Sequence, residues 1–268
     1  MTFIRHLALL VIFALYAGQP SLAADFSYDV PRIAAAADLK FALSEIATLF
    51  ERETGRKLSL SFGSSGVFRR QIEEGAPFEL FFSADEAYVD ALIQAGRGEG
   101  AGAAYAVGRL TLFVPHGSTI RADARLEDLQ RATRDGRLKR LAIANPEHAP
   151  YGRAAREALM NAGVWQTLQG KLVLGENAAQ AARFAVSGSA QAGLIPYSLA
   201  LAPEIARQGN SILLTAELYA PLRQKMLLLK GARETSRLFY TYMRQPRARA
   251  ILLRHGFEAP VEGQKDTK

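Results

Sequence analysis

Residues Ser61 to Asp85 read SFGSSGVFRRQIEEGAPFELFFSAD, and the loop Gly63-Ser64-Ser65-Gly66 inside them decides how the chain folds. An apolar alternation at Leu58, Leu60 and Phe62 leads into the loop and an amphipathic segment from Val67 to Glu74 leads out, so it is a strand-to-helix turn. Two hydroxyls therefore stand at a helix N-terminus. There the first backbone N–H groups lack intrahelical acceptors and the macrodipole favours negative charge, which suits an anion. The same serines serve equally as an ordinary cap. A nucleophile elbow needs Gly-x-Ser-x-Gly, and Val67 after Gly66 leaves the spacing one residue short. Beyond Gly75-Ala76-Pro77 a second strand, Glu79 to Phe82, ends in Ser83-Ala84-Asp85, with Asp85 placed to cap the next helix.

Outward from this stretch the chain alternates strands and helices. Val30 to Ala34 is a short apolar strand, and Asp38 is placed to cap a helix with Leu39, Leu43, Ile46, Ala47 and Phe50 on one face. A helix from Glu86 to Gln94 closes at Gly96. The run Gly96, Gly98, Gly100, Gly102 follows a helix instead of a strand, so it reads as a loop and not as a dinucleotide fingerprint. Strands follow at Leu110 to Pro115, Leu141 to Ala144, Leu172 to Leu174, Ala192 to Ile195 and Lys225 to Lys230, with a short helix near Leu126 to Leu129. Several strands end in small or polar turns that open helices: Asn145-Pro146 to Pro150-Tyr151-Gly152, Glu176-Asn177 and Pro196-Tyr197-Ser198. Open parallel sheets place ligands at such carboxyl ends. Helices from Arg233 to Arg244 and from Pro246 complete the chain, and the tail beyond Pro260 reads as disordered.

At the N-terminus Arg5, the apolar run Leu7 to Ala17 and Ser21-Leu22-Ala23 form a secretory signal peptide, residues 1 to 23, implying export. No later segment reaches about 18 uninterrupted apolar residues. Zero cysteines exclude thiolate catalysis, cysteine metal sites and disulfide scaffolding. The formal charge of +7 falls to +6 without Arg5. The densest basic cluster, Arg131, Arg134, Arg137, Lys139 and Arg140, has no interleaved aromatics, which argues against nucleic acid and leaves a surface that draws in anions. No phosphate loop occurs, and His116, His148 and His255 form no metal-binding pattern; His148, in a strand-end loop, reads as an exposed turn residue ahead of one that lines a site rim.

The ordered set Ala34-Ala35-Ala36-Ala37-Asp38-Leu39, Gly63-Ser64-Ser65-Gly66-Val67, Gly75-Ala76-Pro77, Phe82-Ser83-Ala84-Asp85, Asn145-Pro146, Pro150-Tyr151-Gly152, Glu176-Asn177 and Tyr219-Ala220-Pro221 resembles the periplasmic molybdate-binding proteins of ABC transporters. Each motif alone is weak; their collinearity over nearly all of the exported chain is specific. The resemblance implies an α/β fold, a two-lobed type II periplasmic binding protein. Each lobe would hold a mixed, mostly parallel sheet, with residues 24–109 plus 224–260 in one and 110–223 in the other. Leu110 to Val114 and Lys225 to Leu229 would be the crossing strands. It further implies a monomer without cofactor or enzymatic activity that passes molybdate or tungstate to an inner-membrane permease. The oxyanion would be held by serine hydroxyls and backbone N–H groups, with no metal.

Carried over by position, the ligand-binding residues implied are Ala37, Asp38, Ser64, Ser65, Tyr151 (through its backbone), Ala178 and Tyr197. The family tyrosine falls at Pro196, with Tyr197 one place later. Asp38 departs from the family, in which many members have a serine there. A carboxylate about 4 Å from a dianion is repelled by several kcal/mol. Either Asp38 turns away as a helix cap, or the ligand is a different small molecule. Two other classes compete: a sensor module, which needs a helix-turn-helix where the signal peptide stands, and a serine hydrolase, which needs a histidine brought to Ser64 or Ser65.

Overall fold

The computed structural model describes residues 30–260; the expected signal peptide and the tail from residue 261 lie outside them. In the first half, strands β1 (Arg32–Ala36), β2 (Ser59–Gly63), β3 (Leu80–Ser83) and β4 (Gly98–Gly108) are joined by helices α1 (Lys40–Thr54), α2 (Ser65–Glu73) and α3 (Glu86–Gln94). The middle of the chain supplies β5 (Leu110–Pro115), α4 (Glu127–Arg134), β6 (Leu141–Ala144), α5 (Pro150–Asn161), β7 (Leu172–Gly175), α6 (Ala178–Val186), β8 (Ala192–Pro196), α7 (Tyr197–Ala200), α8 (Pro203–Ala206) and β9 (Gly209–Leu213). Then β10 (Leu222–Leu229) is followed by α9 (Glu234–Met243) and α10 (Pro246–Arg254).

These strands form two five-stranded sheets, ordered β2-β1-β3-β10-β4 and β7-β6-β8-β5-β9. In each, four strands run one way and one the other: β10 pairs antiparallel with both β3 and β4, and β5 with both β8 and β9, while the remaining pairs are parallel. Buried apolar side chains glue the helices to the sheets: in the first, Phe239 of α9 meets Phe50 of α1 and Phe82 of β3 edge to face, with centroids 5.1 and 6.1 Å apart.

Two expectations are corrected here. The glycine run is no loop, because β4 occupies residues 98–108 and pairs along the whole of β10. Gly100 and Gly102 take φ of 68° and 69° within it, and the register with β10 shifts beside them. Left-handed residues of this kind are what a bulged strand requires, and they hide the strand from any alternation test. The crossings also differ: β5 lies wholly in the second sheet and β10 wholly in the first. Arg109 alone separates β4 from β5, and the chain returns through residues 214–221.

Register brings the carboxyl ends of the parallel strands together. Ala36 lies opposite Gly63 and Ala35 opposite Phe82, so the turns after β1, β2 and β3 stand side by side. Ala144 lies opposite Gly175 and Ile143 opposite Leu194, which does the same for the turns after β6, β7 and β8.

Candidate functional site

The turn after β2 touches the turn after β6, so the carboxyl ends of the two sheets face each other. Gly66 N donates to His148 O (3.0 Å), and Ser64 Oγ donates to the same carbonyl (2.6 Å). A Cβ on Gly66 would stand 2.5 Å from that oxygen, so only glycine permits the approach. His148 Nδ1 lies 3.0 Å from Ser64 Oγ; with the hydroxyl proton on the carbonyl, Nδ1 is the donor of that pair. The expected exposed turn residue is instead 9% exposed.

A histidine has thus been brought to a serine, as a hydrolase would need, and Glu176 Oε2 lies 3.4 Å from His148 Nε2. The hydrogen bonds oppose that chemistry. The Ser64 proton points at a backbone carbonyl and not at the imidazole, and the neighbouring Gly66 N–H is already bonded to the same carbonyl.

Ser65 is differently placed. It opens α2 and is 1% exposed, and its Oγ accepts from Ala84 N at 3.0 Å. An accepting hydroxyl still has its proton to donate. Ala84 N–H, on the turn after β3, was not legible as a site group, since only a side chain 19 residues away reveals it. Asp85 caps α3 as expected, accepting from Ala87 N at 2.8 Å. Its other oxygen pairs with Arg153 of α5, whose guanidinium also lies 4.7 Å over the Tyr88 ring and bonds the Tyr88 hydroxyl at 2.6 Å. A cavity of about 230 Å³ opens beside this pair, lined by Ala84, Glu86, Pro150, Arg153 and Arg223. A larger groove of about 680 Å³ on α4 is lined by the exposed Arg125, Arg131 and Arg134.

From the second sheet, Ala178 is the first residue of α6, capped by Asn177 Oδ1 on Gln180 N (3.0 Å). It is buried, and its N–H is one of those with no intrahelical acceptor. Tyr151 occupies the first turn of α5 behind Pro150, where its backbone N–H is similarly placed. Its side chain adds what position alone did not reveal, reaching Gln224 Nε2 at 3.4 Å. Tyr197 N donates to Arg109 O, and its ring lies 4.8 Å from the Arg109 guanidinium. Among the described residues its side chain makes no hydrogen bond to Asp38, Ser65 or Ala178.

Asp38 does not cap α1. It sits inside a 3-10 turn, Ala37–Leu39, that has Ala36 at its N-terminus. Its carboxylate is 2% exposed and points to β10, where Gln224 Nε2 donates to Oδ2 at 2.6 Å. Oδ1 and Gln224 Oε1 are buried without a partner among the described residues. Ser198 Oγ of α7 donates to the Asp38 carbonyl at 2.9 Å, tying the second sheet to this turn. Burial raises the Asp38 pKa to about 6, against the opposing Gln224 hydrogen bond and the nearby Tyr151 hydroxyl. Burial, then the nearby Asp38 charge, pushes the Tyr105 and Tyr151 hydroxyls well above their usual range. Among the described residues no group of three or more His, Cys, Asp or Glu could hold a metal ion.

Residues 31–258 match the family described as bacterial extracellular solute-binding protein. The chain is 36% identical over 227 residues to the molybdate-binding protein ModA of Rhodobacter capsulatus, covering 84% of this chain and 86% of the relative. It is 32% identical over 230 residues to ModA of Azotobacter vinelandii, covering 84% and 88%. The solved periplasmic molybdate-binding protein of Azotobacter vinelandii superposes with a TM-score of 0.77 at 27% identity, over 86% of this chain and all of that one. The sulfate-binding protein SubI of Mycobacterium tuberculosis shares the fold, with a TM-score of 0.71 at 16% identity over 87% of each chain.

Proposed function

Because this chain belongs to the bacterial extracellular solute-binding protein family, we propose that it captures a tetrahedral oxyanion between its two α/β lobes and hands it to an inner-membrane ABC permease. The family consists of binding proteins, not enzymes. Molybdate is the first candidate, from the relatives at 36% and 32% identity, and tungstate follows because its shape and charge are the same. Export through the N-terminal signal peptide to the periplasm, and function as a monomer, complete the reading.

One observation carries it. Ser65, buried at the N-terminus of α2, has its hydroxyl proton uncommitted, while the loops around it are drawn against the opposite sheet by Ser64, Gly66 and His148. The proposed ligand set is the Ser65 hydroxyl with the N–H groups of Ala37, Tyr151 and Ala178, bordered by Asp38, with Ala84 N–H holding Ser65 Oγ in place. Helix N-termini and buried hydroxyls hold an anion without a counter-charge. Ser64 is assigned to holding the lobes together, and Tyr197 to the junction at Arg109. The lobes divide at Arg109 and the return segment, and closure hinges there.

A thermal-shift screen against molybdate, tungstate, sulfate and phosphate tests the reading. Ligand at 100 times its Kd adds about 2.7 kcal/mol, and for a domain of this size that raises Tm by roughly 5–10 °C. No shift with any oxyanion contradicts it.

A further inference from the structure

Within the oxyanion site proposed above, Asp38 is the group that does not fit an anion binder. An ionised carboxylate beside a dianion repels it, and an ionised carboxylate buried with one oxygen unpaired is itself unstable. Among the described residues the surroundings supply no cation. Facing Asp38 are Tyr105 from β4, Tyr151 from α5, Gln224 from β10 and, on its carbonyl, Ser198 from α7. Other elements pack on the same turn without adding one: β2 has no charged residue, α6 carries only the exposed Arg183, and the exposed Lys40 opening α1 lies over the Phe41 ring. On α7, Tyr197 is turned to Arg109.

We propose that Asp38 is the specificity-determining residue of this site and acts as a neutral carboxylic acid. Gln224 Nε2 holds Oδ2, and Oδ1 carries a proton that it donates as a hydrogen bond to an oxygen of the bound dianion. The inference rests on the oxyanion reading of the site. The proton comes from solvent on binding, stays on Oδ1 and returns to solvent on release, so capture is coupled to uptake of one proton. Gln224 is a positioning residue: its hold on Oδ2 leaves Oδ1 as the oxygen available to proton and ligand. The ligand class follows as fully deprotonated tetrahedral dianions, which offer acceptors to every donor of the site. An anion bearing its own proton, such as hydrogen phosphate, suits an ionised carboxylate better.

The free carboxyl titrates near pH 6 through burial. A bound dianion raises that value further, so binding takes up a proton above it and affinity falls by roughly tenfold per pH unit until the bound-state pKa is reached. The test is calorimetric titration of the wild-type chain with molybdate between about pH 6 and pH 8.5, in two phosphate-free buffers of different ionisation heat. The account expects uptake of close to one proton per anion near pH 8 in wild type. Asp38→Asn and Asp38→Ser should take up none and show a flat affinity profile. Binding in wild type with no proton uptake, or affinity that rises with pH together with a preference for hydrogen phosphate, overturns the proposal and leaves the oxyanion reading standing. Absence of binding to molybdate, tungstate and sulfate at every pH overturns both.

Discussion

Ser65→Ala removes one oxygen, and its consequences separate into two measurable terms. In the free protein Ser65 Oγ is the acceptor for Ala84 N, and the serine is 1% exposed, so the variant leaves a buried N–H unpaired. That costs about 1–3 kcal/mol of folding stability. In the complex the variant also lacks the hydroxyl donor to the anion, a hydrogen bond to a charged group of about 1.5–3 kcal/mol, equivalent to roughly 10- to 150-fold in Kd. The two terms are linked. If the anion accepts Ala84 N–H in the complex, binding relieves the variant's unpaired donor, and the loss of affinity shrinks toward or below the lower end. Urea denaturation of the ligand-free variant gives the first quantity and calorimetric titration with molybdate the second. A folded variant with unchanged stability and a Kd within about twofold of wild type would refute the placement of Ser65 in both networks.

Three further outcomes follow from the geometry. Gly66→Ala places a methyl 2.5 Å from His148 O, so the turns after β2 and β6 should be held apart. Weaker oxyanion binding and loss of ligand-induced compaction, read as a radius-of-gyration change of about 1 Å by small-angle scattering, are expected; normal compaction contradicts the contact. For Asp38 the folded pKa is about 6 against an ordinary 3.8, so its favourable contribution is complete below the ordinary value and lost as pH rises through 6. That difference of roughly two units is about 3 kcal/mol, and Asp38→Asn should abolish this decline in denaturation measured from about pH 4 to pH 7. Asp128 behaves oppositely: hydrogen bonds from Arg137 hold its pKa low, so its contribution is present above the usual carboxylate range and lost as pH falls. Asp128→Asn should destabilise the chain at neutral pH by about 1–3 kcal/mol in urea titrations, and equal stability would remove that pair from the account.

The parts of this fold that were legible in sequence are those written locally. The Gly63 to Gly66 turn, the Asp85 cap and the helix opened by Ala178 each depend on residues within a few positions, and each stands where the local pattern puts it. β4 was missed because its glycines carry bulges, so no alternation marks it, and its partner β10 is more than a hundred residues away. Asp38 was misread for a related reason. Cap preference is a local statistic, whereas the hydrogen bond that orients its carboxylate comes from Gln224, 186 residues on. His148 is met across the junction by Ser64 and Gly66, which nothing in its own turn announces.

The central claim, that a tetrahedral oxyanion is held between the two sheets at the end of β2, is tested most directly by crystals grown with tungstate and measured at the tungsten absorption edge. The account predicts a single anomalous peak with its oxygens within hydrogen-bonding distance, about 2.7–3.2 Å, of Ser65 Oγ and Ala178 N. A peak elsewhere, or none at tungstate concentrations that raise the melting temperature, would contradict it.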